Sequence, residues 1–200
     1  MSAISKSAKQ SAKQSVSATK GCLIAVVGPS GSGKDSLLAA VREHYADNQD
    51  VKVVQRVITR PSDAGHEPHK YLSGEDFIAA RDRGEFSICW EAHNLHYGVP
   101  TEVHDWIENG KVAILNGSRG AMRSIRQVFP TSRTVLVSVD EQTLASRLAK
   151  RARESSSDIS ARLGRRPDMH LRDDLDIEID NSGDLQLAVG RLLRFIESVR

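Results

Sequence analysis

The sequence predicts an α/β fold, a central parallel sheet flanked by helices. Three observations carry that prediction. Short continuous apolar runs recur along the chain (CLIAVV from Cys22, KVAILN from Lys111, RTVLVSV from Arg133), each the length of a strand buried on both faces. Segments of helical length lie between them, as crossovers between parallel strands require. The glycine-rich stretch GPSGSGK, Gly28 to Lys34, closes the first run and opens the first helix. That is the place a phosphate-binding loop occupies.

The elements follow in order. Residues 1–20, MSAISKSAKQSAKQSVSATK, hold a tandem SAKQ and almost nothing large and apolar, which predicts a disordered tail. They lack the apolar stretch of a secretory signal. They share the Ser-rich, acid-free character of a transit peptide, but with lysine where arginine is typical. The folded domain is expected over 21–200. Gly33 to Tyr45 reads as a helix with Leu37, Leu38, Val41 and Tyr45 on one face. VKVVQRVIT, Val51 to Thr59, alternates and is β-branched, which predicts one strand. A loop over Pro61–His69 precedes a helix near Gly74–Arg83 and a short strand, FSICW, from Phe86. Pro100 to Asn109 reads as a helix with Pro100 at its start. Glu141 to Ala152 reads as another. DIEID (Asp176–Asp180) predicts the last strand, and Leu185 to Val199 a closing amphipathic helix.

Composition narrows the partners. With 200 residues, 39% hydrophobic and 27% charged, the chain suits one domain with a sizeable core. No apolar run approaches the roughly 18 residues of a membrane helix, so no membrane partner is expected. The net charge of +2 conceals an uneven distribution. The tail holds Lys6, Lys9, Lys13 and Lys20 without an acid, leaving 24 basic against 26 acidic residues elsewhere. Domains that bind nucleic acid are usually basic, so nucleic acid is not an expected partner. Cys22 and Cys89 cannot build a disulfide framework, which predicts a reducing cytoplasm. His66, His69, His93 and His96 lack the cysteine or carboxylate that would complete a zinc site.

Each part of the loop has a physical task. Gly28, Gly31 and Gly33 let backbone amides turn inward as an anion nest, with Pro29, Ser30 and Ser32 completing the cradle. The helix that follows aims its positive end at the same point. Lys34 then supplies a mobile charge to the β and γ phosphates of ATP. Where the usual motif places a Ser or Thr on Mg²⁺, this chain has Asp35, with Ser36 one place late. Asp35 either favours the helix dipole or contacts Mg²⁺, directly or through water, and both Asp35 and Ser36 are metal candidates. The strand KVAILN ends in Asn116, where P-loop enzymes often carry an acid. An acid is thus missing at Asn116 and gained at Asp35, as if the two positions had exchanged roles.

The order of motifs resembles the guanylate kinase-like P-loop kinases from about Leu23 onward. GPSGSGK is followed by Ile58-Thr59-Arg60, Gly84-Glu85-Phe86, Tyr97-Gly98, an apolar strand and an arginine-rich segment about 145–166 with RLAKRARE and ISARL. The resemblance implies a P-loop NTPase fold with a small acceptor-binding subdomain (about 60–100) and that segment as a lid. It implies that Arg60 binds an acceptor phosphate and that Arg151, Arg153 and Arg162 close over ATP. Two departures stand out. Of the positions where guanylate kinases read guanine with acids, the first falls on Ile88 in a gap-free count back from Tyr97-Gly98, and the second on Ser118, after the apolar strand in ILNGSRG. GPSGSGKDSLL, ITR, Glu67–His69, Tyr97–Val99, Asn116–Arg119 and the lid resemble the ribose 1,5-bisphosphate phosphokinase family more closely. In that family Lys-Asp-Ser is the regular ending of the loop.

That resemblance implies transfer of the γ-phosphoryl of ATP to ribose 1,5-bisphosphate, giving 5-phosphoribosyl 1-diphosphate, within bacterial phosphonate catabolism. The expected cofactors are ATP and Mg²⁺, and the expected partner is a phosphorylated sugar. Arg60 and Arg119 are the candidate anion clamps, with Tyr97 beside them and His69 and His96 as auxiliary donors. Arg147 and Lys150 also suit a solvated helix face. Other readings at this stage are a guanylate or other nucleotide kinase and a non-catalytic binding module of the same fold. Oligomeric state is open, with a homodimer among the options.

Overall fold

A computed structural model describes residues 21–61, 67–150 and 174–200. The proposed tail and the lid positions Arg151, Arg153 and Arg162 lie outside the described residues.

Five strands form the main sheet: β1 (Cys22–Val27), β2 (Val51–Val53), β7 (Val112–Asn116), β8 (Arg133–Ser138) and β9 (Ile177–Asp180), in the order β2-β7-β1-β8-β9. Every pairing is parallel; Ile24 sits opposite Ile114 on one side and Arg133 on the other. Alternation along the buried β1 feeds two cores. Ile24 and Val26 pack with Leu37, Leu38 and Val41 of α1 (Lys34–His44) and with Ala188, Leu192 and Ile196 of α6 (Leu185–Ser198). Leu23, Ala25 and Val27 face the opposite side, toward Val103 of α3 (Glu102–Glu108) and Ile125 of α4 (Met122–Val128). The helix α5 (Glu141–Lys150) follows β8. Central placement of β1 puts its carboxyl end, and the loop after it, where neighbouring strands lead off to either side.

A second sheet has the order β4-β3-β6-β5, built from β3 (Val57–Ile58), β4 (Lys70–Tyr71), β5 (Phe86–Ala92) and β6 (Leu95–Pro100). The helix α2 (Gly74–Asp82) precedes β5, and its Ser73 cap accepts a hydrogen bond from the Asp76 amide at 3.1 Å.

Here the structure departs from the pattern. Val51–Thr59 is not one strand: Val51–Val53 pair with β7, and Val57–Ile58 cross to pair with β6. The intervening Val54 and Arg56 stay buried while the pairing partner changes. Leu95–Pro100 is a strand that the sequence reading passed over, and Pro100 ends it rather than opening α3. The turn joining β5 to β6 places His93 and Asn94 at φ 53° and 58°, the left-handed pair a two-residue hairpin needs.

Candidate active site

The loop Gly28–Lys34 lies between β1 and α1. Gly31 and Gly33 both adopt φ 89°, a region other residues enter only with strain. At Gly33 an added Cβ would also collide with the Asn181 side chain. Asn181, just past β9, donates from Nδ2 to the Ser32 carbonyl at 2.7 Å and so ties the loop to the far edge of the sheet. Lys34 Nζ folds back over its own loop, donating to the carbonyls of Gly28 and Pro29, both at 2.8 Å. Burial pushes the Lys34 amine down to about 8, with Arg56 and Arg119 adding to the effect and Asp35 and Glu67 opposing it.

The loop opens into a cleft of about 1010 Å³. Asp35, Arg56, Trp90, Tyr97, Asn116, Ser118 and Arg119 line it beyond the loop itself. Trp90 and Tyr97 stack almost parallel, 3° apart with centroids 5.3 Å apart. The Arg56 guanidinium faces both rings, 5.9 and 5.1 Å from their centroids.

Behind this wall is a polar network. Arg56 pairs with Glu67, whose side chain is only 3% exposed. The Asn116 amide donates both to Glu67 Oε2, at 2.9 Å, and to Asp35 Oδ1, at 3.0 Å. Asp35 and Asn116, the two anomalous positions of the sequence, are therefore in direct contact. His69 holds the chain on either side of the network: its ring nitrogens lie 2.8 Å from the carbonyl oxygens of Glu67 and Arg60.

The structure thus gathers Gly28, Pro29, Ser30, Gly31, Gly33, Lys34, Asp35, Tyr97 and Arg119 around one cleft. It does not bring in every expected residue. Ser32 is buried beneath the loop. Ser36 is exposed on α1 and does not line the cleft. His69 is buried with both nitrogens on backbone carbonyls, and His96 stacks on Phe77 with Nδ1 3.2 Å from the Glu91 carboxylate. Arg60 lies outside the cleft lining, and its Nε is buried without a partner among the described residues. Arg147, read as suited to a solvated face, instead buries Nη1 close to Gly33. Sequence reasoning assigned no site role to Arg56, Trp90 or Asn181. Their partners lie far along the chain, and no local motif announces them. Cys22 and Cys89 are free thiols whose ionisation burial opposes. Among the described residues no cluster of three or more His, Cys, Asp or Glu is placed to hold a metal, and no helix is long and apolar enough to cross a membrane.

A family model described as guanylate kinase matches residues 20–199. The chain belongs to the guanylate kinase family. A relative from Rhizobium etli, named ribose 1,5-bisphosphate phosphokinase PhnN, is 39% identical over 91% of this chain and 92% of its own. One of the same name from Desulfomicrobium baculatum is 42% identical over 82% of this chain and 87% of its own. Among solved structures, a guanylate kinase from Anaplasma phagocytophilum superposes with a TM-score of 0.67 over 90% of this chain and 86% of that one. At 16% identity that likeness speaks for the fold. Membership of a kinase family implies a nucleotide substrate, and the relatives' phosphokinase name is consistent with a phosphorylated small molecule as the other. Of the two positions singled out by the resemblance, Ile88 is buried in the core and outside the cleft lining, and Ser118 lines the cleft.

Proposed function

We propose that the chain transfers the γ-phosphoryl group of ATP to the 1-phosphate of ribose 1,5-bisphosphate, giving 5-phospho-α-D-ribose 1-diphosphate, in the phosphonate catabolism of a reducing cytoplasm. The observation that carries the reading is the make-up of the cleft. A phosphate loop ending in Lys34-Asp35 opens toward Arg119, Ser118 and the Trp90–Tyr97 wall, where Ser118 offers a hydroxyl and not a carboxylate to a base; the carboxylates on the lining are Asp35 and Glu91. Relatives bearing the phosphokinase name at 39% and 42% identity support the choice of acceptor.

In the reaction an oxygen of the 1-phosphate attacks the γ phosphorus. The bond from that phosphorus to the β–γ bridging oxygen breaks, and ADP leaves. The attacking oxygen is already ionised, so the chain needs no general base. Its residues position the groups and offset the charge that develops. The loop amides and Lys34 hold the β and γ phosphates, Arg119 serves a sugar phosphate, and Tyr97 borders the sugar; Arg60, outside the cleft lining, is the weaker candidate for the second phosphate. Arg151, Arg153 and Arg162 act as the lid that excludes water. His69 supports the acceptor side through the backbone of Arg60 and Glu67, and His96 through its stacking on Phe77.

The residues at the end of the loop fit magnesium. Mg²⁺ takes one or two carboxylates together with waters and phosphate oxygens. Asp35 offers one carboxylate in the cleft, with Oδ1 accepting a hydrogen bond from the Asn116 amide. The ion would supply charge neutralisation on the β and γ phosphates. Asp35 would hold it; exposed Ser36 is the weaker candidate.

The test is an acceptor screen with Mg²⁺ and ATP, offering ribose 1,5-bisphosphate or GMP and following products by phosphorus NMR. A new diphosphate on C1 of the sugar, with GMP inert, is expected. Formation of GDP, or turnover of neither acceptor, overturns the assignment.

A further inference from the structure

We propose that Glu67 is a positioning residue for the metal end of the cleft: acting through the Asn116 amide, it fixes the direction in which the Asp35 carboxylate points. The inference rests on the magnesium–ATP reading above and extends it to a side chain that does not line the cleft.

The argument begins with the amide. Asn116 has two N–H hydrogens, and its nitrogen lies 3.0 Å from Asp35 Oδ1 and 2.9 Å from Glu67 Oε2. Both hydrogens are committed. The reverse orientation would set a carbonyl oxygen against two carboxylate oxygens, so the amide has one acceptable pose. Bridged this way, one oxygen of Asp35 is held and the other is left for the cleft. The bridge is strongest while its far end is anionic and still.

Glu67 satisfies both conditions. Its side chain is 3% exposed and paired with Arg56, itself 9% exposed. Arg56 is backed by the Trp90 and Tyr97 rings. The Glu67 carbonyl is held by His69 at 2.8 Å. The carboxylate is therefore fixed at its backbone and at its head.

The cost of this arrangement argues against a purely stabilising role. Two charges are withdrawn from water, and Glu67 Oε1 and Arg56 Nε remain without partners among the described residues. Buried ion pairs are poor stabilisers compared with apolar groups of the same volume, and each orphaned polar atom adds to the deficit. What the network provides is a single orientation for Asn116, and hence for Asp35. Supporting groups around metal ligands commonly act in this way, and their loss typically costs 10- to 100-fold in metal affinity.

Glu67→Gln keeps the shape and removes the charge. In the ADP complex, Mn²⁺ affinity, read from the electron paramagnetic resonance signal of free Mn²⁺, should fall about tenfold. ADP affinity measured by calorimetry in EDTA should stay the same. Asn116→Ala should show the same selective loss. In the double variant, Glu67→Gln should add nothing to Asn116→Ala, because the two act in series. If Glu67→Gln does not fold, Glu67→Asp, which keeps the charge but retracts it, should give the metal-selective loss.

Unchanged Mn²⁺ affinity in the Glu67 variant overturns the proposal. So does a further tenfold loss in the double variant, or a parallel fall in metal-free ADP affinity. A native protein that binds Mn²⁺ with ADP but leaves ribose 1,5-bisphosphate untouched overturns the acceptor assignment and not this inference. One that binds no Mn²⁺ with ADP overturns both.

Discussion

The two sides of the cleft are built from different materials. On the nucleotide side the anion seat is mostly backbone: three glycines, a helix N-terminus and one lysine. The facing wall is instead made of side chains from separate elements: Arg56 after β2, Trp90 on β5, Tyr97 on β6 and Asn116 at the end of β7, with Glu67, before β4, behind them. A backbone cradle is specified by a few adjacent residues and recognises only what all nucleotides share. A side-chain wall requires long-range agreement, and under the proposed function it is the part that would tell one acceptor from another.

That contrast can be strained from either side. The largest effect is expected from Arg56→Met, which leaves Glu67 charged and buried. Breaking such a pair costs about 3–5 kcal/mol of stability. Denaturant unfolding would measure it, while metal-free ADP affinity of the folded fraction should change little; a large loss there would erase the distinction between the two sides. Next comes Lys34→Met, which removes the one charged group of the nucleotide seat. A fall in kcat of about 10²–10³ is expected, near 2.7–4 kcal/mol of barrier, with the unfolding midpoint almost unmoved. The smallest effect is that of pH. Because the Lys34 amine is held at about 8, it loses its charge as pH rises through that value. Calorimetric ATP affinity of the free protein should be flat below neutrality and weaken above pH 8, by up to about tenfold per unit. A flat profile up to pH 10 would mean that the amine keeps its charge.

The same difference in construction decided what the sequence disclosed. GPSGSGK, with its strand before and helix after, is a local pattern, and the central strands are continuous apolar runs, so both were readable. Val51–Thr59 misled because β-branched alternation reports a strand without naming its partner, and here the partner changes at Arg56. Leu95–Pro100 was missed because its hairpin turn uses His93-Asn94 and no glycine. Asn116 and Asp35 were each noticed as departures, but only the fold shows that they touch. His69 looked like a ligand because a histidine's type says nothing about which acceptors its nitrogens already meet. Arg147 looked solvated because a helix pattern does not reveal that a glycine-rich loop passes beside it.

The strand pairing also sets an order of events during synthesis. The strand that leads into the phosphate loop is paired on both sides by strands made much later, Val112–Asn116 and Arg133–Ser138. The Ser32 carbonyl waits longer still, for Asn181. A growing chain therefore carries its most recognisable motif early, yet cannot shape it until nearly the last strand has emerged from the ribosome. Long-range parallel pairing of this kind is slow to form. Nucleotide binding is then expected only of the finished chain, and a ligand of the folded loop would stabilise only molecules that have completed their fold.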